Sequence, residues 1–312
     1  QSDDEGVKKA VEEFGVKYTS VEAQKKEDYE PNLQALIDGG SDLTLAIGFQ
    51  LADAVTNVAK NNQDSKLCII DSVVEADNVM SVTFKQEEGS FLMGVIAGLT
   101  TKTNKVGFIG GMVIPSVQNF GYGFAMGVAY ANANLGTNVE IADYLYNGTF
   151  DDVAGGKAQA GGMYDKGIDI IFVAAGGVGN GVIAEGKERA EAGKDVHVIG
   201  VDVDQYEDGL LSDGSSVILT SAIKRIDNAA YTKIDEVVKG TFEGGKVITM
   251  NAQNDGIGLP EKNPNLSTET QEKVDQVLAQ IKTEEIIAPA TADALESYLS
   301  EVGYDASTIN YK

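Results

Sequence analysis

Histidine, cysteine and tryptophan are nearly absent: the 312 residues include one His, one Cys and no Trp. A single thiol cannot close an internal disulfide, and Cys68 in the apolar run KLCIID reads as a small hydrophobe of a core strand. His197, in DVHVIGV, reads as a partly buried structural residue. Nucleophile–base catalysis and a transition-metal centre therefore lack their usual parts, and no catalytic residue, metal or cofactor is expected. Basic residues are scarce as well. With 24 Lys and Arg against 48 Asp and Glu, the net charge of −24 would repel nucleic acid and anionic membranes, which excludes a nucleic-acid partner. Apolar runs long enough to span a bilayer are missing, as are a signal peptide and a lipidation cysteine.

What is present is an alternation. An opening helix (QSDDEGVKKAVEEFG) is followed by strand-like VKYTSVE (16–22), helix 31–39, DLTLAIG (42–48), helix 50–61, KLCIID (66–71), NVMSVTF (78–84), helix 86–101 and KVGFIGG (105–111). A second series contains helix 117–134, VEIADYLY (139–146), helix 152–166, IDIIFVA (168–174), helix 180–192, DVHVIGVD (195–202) and SVILTSA (216–222). Apolar strands separated by helix-length segments indicate an α/β protein with parallel sheets covered on both faces. Gly and Pro in GGMVIPS (110–116) suggest a passage between lobes there, and GIGLPEKNPN (256–265) a second one. Two doubly wound lobes joined by a hinge are expected: 1–112 with 225–257 returning to it, 113–224 with 258–290, and a C-terminal helical extension over 291–312.

In open α/β sheets, ligands sit beyond the carboxyl ends of the strands. Those ends are Gly48 to Gln50, Asp71, Gly110 to Met112, Asn147 to Phe150, Gly176 to Asn180, Asp202 to Gln205 and Ser221 to Lys224. The loop AAGGVGNG (174–181) is not a P-loop, since no Lys-Ser/Thr ends it, and Val182 stands where a dinucleotide fingerprint needs its third Gly. A carboxylate at the next strand end, Asp202, can accept two hydrogen bonds from a vicinal diol, while Gly176 and Gly177 allow backbone to approach a sugar. Lys224 could donate to a ribose oxygen or to Asp202. Phe150, in the polar loop YNGTFDD, is a candidate to stack on a base; Phe49, Met112, Phe120 and Asn180 are weaker candidates, with core packing the rival role for both aromatics. An NAD(P)-dependent or nucleoside-processing enzyme is the alternative reading, and a nucleoside sensor without a transporter is a third.

Four motifs in order, FKQEEGSFLMGVIAGLTTKTNKVGFIGGM (84–112), AAGGVGNGV (174–182), GVDVDQ (200–205) and LTSAIKRID (219–227), resemble the basic membrane protein family of bacterial substrate-binding lipoproteins with PnrA-type purine nucleoside receptors. The resemblance covers about 5–260. It implies a type I periplasmic-binding-protein fold and a monomeric, extracytoplasmic, lipid-anchored receptor whose anchor is absent from this chain. Such a receptor would pass adenosine, guanosine or inosine to an ABC transporter permease without catalysis. By motif position it implies that Asp202, Lys224 and the Gly176–Gly177 backbone hold the ribose, that Asp71 bonds the base and that Phe150 stacks on it. Family members begin with a strand and a loop ending Asp-Asp-Lys-Ser-Phe-Asn-Gln-Ser; only Gln1 and Ser2 of that loop are present here, so a first strand of lobe 1 is expected to be missing from the chain.

Overall fold

A computed structural model describes residues 2–310; Gln1, half of the Gln1–Ser2 remnant noted above, lies outside the described residues with Tyr311 and Lys312. In chain order the elements are α1 (Ser2–Phe14), α2 (Tyr29–Asp38), β1 (Thr44–Ile47), α3 (Ala52–Asn61), β2 (Leu67–Ile70) and β3 (Val79–Phe84). Next come α4 (Gln86–Thr100), β4 (Lys105–Gly110), α5 (Pro115–Asn134), β5 (Glu140–Tyr146), α6 (Val153–Asp165), β6 (Ile170–Ala174) and α7 (Gly177–Glu191). The chain ends with β7 (His197–Asp202), β8 (Ile218–Lys224), α8 (Ile226–Val238), β9 (Val247–Met250), β10 (Ile257–Gly258), α9 (Thr268–Lys282) and α10 (Ala292–Val302). They form two compact units: residues 1–84 with 225–256, and residues 85–224 with 257–312.

The first unit is built on a parallel sheet ordered β1-β2-β3-β9. β2 is buried at every position, as an unbroken LCII run requires of a strand covered on both faces. Cys68 is fully buried there, and burial pushes its thiol up to about 12. One face carries α2 and α3, whose Leu33, Val55 and Val58 pack on Leu67 and Ile69. The segment 16–22 forms no strand. Val16 and Tyr18 alternate with polar residues, but Tyr18 and Val21 are exposed and the segment belongs to neither sheet.

The second unit holds a sheet ordered β10-β8-β7-β6-β4-β5, parallel except for β10 on its edge. Phe108, Phe124 and Phe172 are fully buried and meet in one aromatic cluster, with ring centroids 5.3–6.3 Å apart. The boundary expected at 112 is corrected here: α4 and β4 belong to this unit, which begins at Lys85. The reason is packing. β4 pairs with β5 and β6, and α4 crosses α5 so closely that a Cβ on Gly94 would overlap the Phe124 carbonyl, and one on Gly127 the Phe91 carbonyl. Residues 291–310 are likewise no separate extension. The Tyr304 hydroxyl accepts from Ile141 N at 2.8 Å and donates to Val139 O at 3.1 Å, and Thr308 donates to Ile141 O, which fastens the tail to β5. Its helix, α10, is capped at both ends: Thr291 accepts from Ala294 N, and Gly303 turns left-handed at φ 68°.

Candidate functional site

β4, β6, β7 and β8 all run in the same direction, so Gly110, Ala174, Asp202 and Lys224 finish at one end of the second sheet. That end is where backbone dipoles and loop side chains are free to serve a ligand. His197 begins β7 and therefore lies at the other end, with Nε2 3.5 Å from Asp195 Oδ1; burial holds its pKa below the usual value.

Lys224 and Asp202 are brought together. Register pairs Asp202 with Ile223, and the Lys224 ammonium lies 3.8 Å from Asp202 Oδ1. The lysine side chain is 5% exposed and the aspartate side chain 48%, with the Asp202 Oδ1 atom nearest the ammonium itself buried. Lys224 Nζ also lies 5.9 Å from the Phe120 ring centroid, in cation–π range. Phe120 is 7% exposed and packs edge-on against Phe172 at 6.2 Å. It is thus a floor beneath the ammonium, and the packing role dominates.

Phe150 and the glycines form a second group. Gly111 N donates to Ala174 O at 3.0 Å, and Gly148 N donates to Gly111 O at 2.8 Å, which ties the Phe150 loop to the ends of β4 and β6. The half-buried Phe150 ring rests on Gly111, where a Cβ would strike its Cε1 and Cδ1 atoms. Its carbonyl accepts from Val178 N at 3.3 Å, and a Cβ on Gly177 would come within 2.9 Å of that oxygen. Gly176 caps α7 at φ 55°, ψ −129°, a backbone conformation that L residues rarely adopt. Asp152 accepts from Gly155 N at 2.8 Å, capping α6 just past the loop. Among the weaker candidates, Asn180 is exposed in the first turn of α7, and Met112, 41% exposed, lies beyond β4.

Asp71 and Phe49 belong to the first unit. Asp71 follows β2 at φ 75° and donates its N–H to Val82 O at 2.8 Å, while Phe49, 36% exposed, starts a short turn after β1. Both occupy carboxyl ends of paired strands.

Some contacts escaped the sequence reading. Gly111 under Phe150 and the Gln205–Ser221 contact behind Asp202 lie among the strand ends, but no spacing rule marks them. Tyr146 at the end of β5, whose phenol burial pushes up to about 12, stands over Gly110. Groups of three or more His, Cys, Asp or Glu able to hold a metal ion do not occur among the described residues.

A half-exposed aspartate side chain beside a buried lysine, a pair of glycines and a half-buried aromatic ring thus lie at the carboxyl end of this sheet.

Residues 1–292 match the family described as ABC transporter substrate-binding protein, PnrA-like. The CD4+ T-cell-stimulating antigen of Listeria monocytogenes is 38% identical over 279 residues, covering 87% of this chain and 77% of that protein. The ABC transporter nucleoside-binding protein BmpA of Lactococcus lactis is 38% identical over 254 residues, covering 78% of this chain and 71% of that protein. Among solved structures, an ABC transporter solute-binding protein from Aeropyrum pernix superposes with a TM-score of 0.80 at 27% identity, covering 99% of this chain and 94% of its own. The fold is that of the type I periplasmic-binding proteins. This chain belongs to the PnrA-like family of ABC transporter substrate-binding proteins.

Proposed function

We propose that the protein is an extracytoplasmic, lipid-tethered receptor that captures purine nucleosides for an ABC importer and performs no chemistry on them. The observation that carries this reading is the Asp202–Lys224 pair, a half-exposed aspartate side chain beside a buried ammonium. A carboxylate accepts from two neighbouring hydroxyls at once, and an ammonium donates to a ring or hydroxyl oxygen; together they fit a ribose. The Gly176–Gly177 backbone lets the sugar approach, and Phe150 offers a face to the base. Asp71 of the first unit supplies a hydrogen bond to the base, and hinge closure completes capture for recognition by the permease. The nucleoside-binding name of the Lactococcus lactis relative supports the ligand class.

The test is isothermal titration with adenosine, guanosine, inosine and ribose, read beside a thermal shift. Binding of at least one nucleoside with the base intact afterwards is expected. Absence of heat and of any thermal shift with every nucleoside overturns the reading, as does release of free base.

A further inference from the structure

Asp202 is held in an unfavourable backbone conformation. Its φ is 69°, and Val203 N donates to Val201 O at 2.8 Å, so Asp202 is the centre of a three-residue turn that closes β7. Such turns with positive φ are rare and strained, and they persist only where neighbouring groups hold them.

The holding group is Gln205. Its Oε1 accepts from Val201 N at 3.0 Å, its Nε2 donates to Asp208 Oδ2 at 3.2 Å, and its backbone N–H donates to Ser221 Oγ at 3.2 Å. The amide orientation is fixed chemically, because one partner can only donate and the other, a carboxylate, can only accept. Ser221 is fully buried on β8, opposite Gly200 of β7, so Gln205 fastens the ends of both strands. Gly200 makes the space: a Cβ there would come within 2.6 Å of Gln205 Oε1 and 2.8 Å of Ser221 Oγ.

We infer that Gln205 is a positioning residue: by clamping the Val201–Val203 turn it aims the Asp202 carboxylate, and so sets how strongly the site distinguishes a ribose diol from a deoxyribose. The inference rests on the proposal that Asp202 holds the sugar. Gln205 acts through the carboxylate, so loosening the clamp affects the diol contact and spares the contacts to the base.

The experiment compares wild type, Gln205→Met and the double variant Gln205→Glu with Asp208→Asn. Met keeps the length but removes the acceptor. The double variant keeps an acceptor for Val201 N and reverses the outer bond without adding net charge. Each is titrated with inosine, 2′-deoxyinosine and 3′-deoxyinosine, and amide hydrogen exchange is followed at Val201. In Gln205→Met, inosine affinity should fall about tenfold, the scale of one well-placed hydrogen bond to a charged group. Affinity for the deoxy forms should change less than about twofold on the same reasoning, because they lack part of that contact. Faster exchange at Val201 should accompany the loss, and the double variant should recover both properties. An equal loss for all three ligands, or no loss, overturns the inference. Should the wild type bind none of them, the sugar-site reading has failed; unchanged exchange at Val201 in Gln205→Met would then overturn the clamp by itself. If Gln205→Met does not fold, Ser221→Ala, which removes the acceptor for Gln205 N–H, must show the same selective loss.

Discussion

Lys224 and Asp202 lie 3.8 Å apart, yet their environments differ: the ammonium is 5% exposed and the carboxylate 48%. The two partners therefore respond differently to removal. Asp202→Asn tolerates the left-handed backbone but removes the carboxylate charge that lies 3.8 Å from a buried ammonium. It should cost on the order of 1–3 kcal/mol of stability, reduced from the fully buried case because solvent reaches the carboxylate. Lys224→Met replaces the ammonium with an apolar chain of similar shape and should be near neutral in stability, within about 1 kcal/mol. Both should weaken nucleoside binding about 100-fold, the scale of two charge-assisted hydrogen bonds. Denaturant titration with calorimetric binding separates these outcomes, and equal stability losses in the two variants would contradict the assignment.

The two aromatics at the strand ends should part in the same way. Phe120 is buried among Phe172 and its neighbours, so Phe120→Ala should destabilise the second unit by about 3–5 kcal/mol. Phe150→Ala should cost less stability, about 1–2 kcal/mol for a half-buried ring, and should weaken nucleoside binding about tenfold or more. Gly111→Ala should reproduce the binding loss without touching the aromatic, because its methyl takes the space of the Phe150 ring.

Glu87, 5% exposed at the start of α4, carries a pH prediction. Burial, followed by smaller repulsion from Glu88, raises its carboxyl to about 7 from the usual 4.5, against the lowering effect of its own backbone N–H, of Lys85 and of Asn119. The folded state thus holds a proton that the unfolded state releases. The stability contribution is complete below pH 4.5 and is lost as the pH rises to about 7. The span is on the order of 3 kcal/mol. Glu87→Gln should flatten stability between these limits and raise the melting temperature at pH 8. A melting series at four pH values checks it, and a steeper slope in the variant would refute it.

Cys68 offers a probe of the first unit alone. With its thiol buried and pushed up to about 12, it should react with an aromatic disulfide reagent at pH 8 only when that unit opens. The labelling rate should rise with denaturant in step with the loss of the first sheet. Immediate labelling of the native protein would show the core assignment to be wrong.

Legibility of the sequence followed the kind of information each feature needs. IDIIFVA and KLCIID announce buried parallel strands by composition alone, and strand order in the chain places Asp71, Asp202 and Lys224 at carboxyl ends. The segment 16–22 shows the limit: alternation describes a strand only when another strand stands beside it. The lobe boundary was misplaced because Gly110, Gly111 and Pro115 resemble a linker, whereas the close crossing of α4 and α5 through Gly94 and Gly127 is a pairwise fact that no single helix displays. The turn at Asp202 and its Gln205 fastening were not readable, since they depend on one backbone angle and on a serine 16 positions further along.

The first unit is interrupted at Phe84 and resumes at Arg225, and β9 reaches β3 across a separation of 166 residues at Thr83 and Thr249. During synthesis the ribosome must therefore release most of the second unit before the first sheet can gain its last strand. The second unit in turn waits for α9, α10 and the Tyr304 fastening. Neither half can mature early, so a chain stopped near residue 224 would present two unfinished cores to the quality-control machinery at once, and the segment that follows residue 224 acts as the commitment step for both.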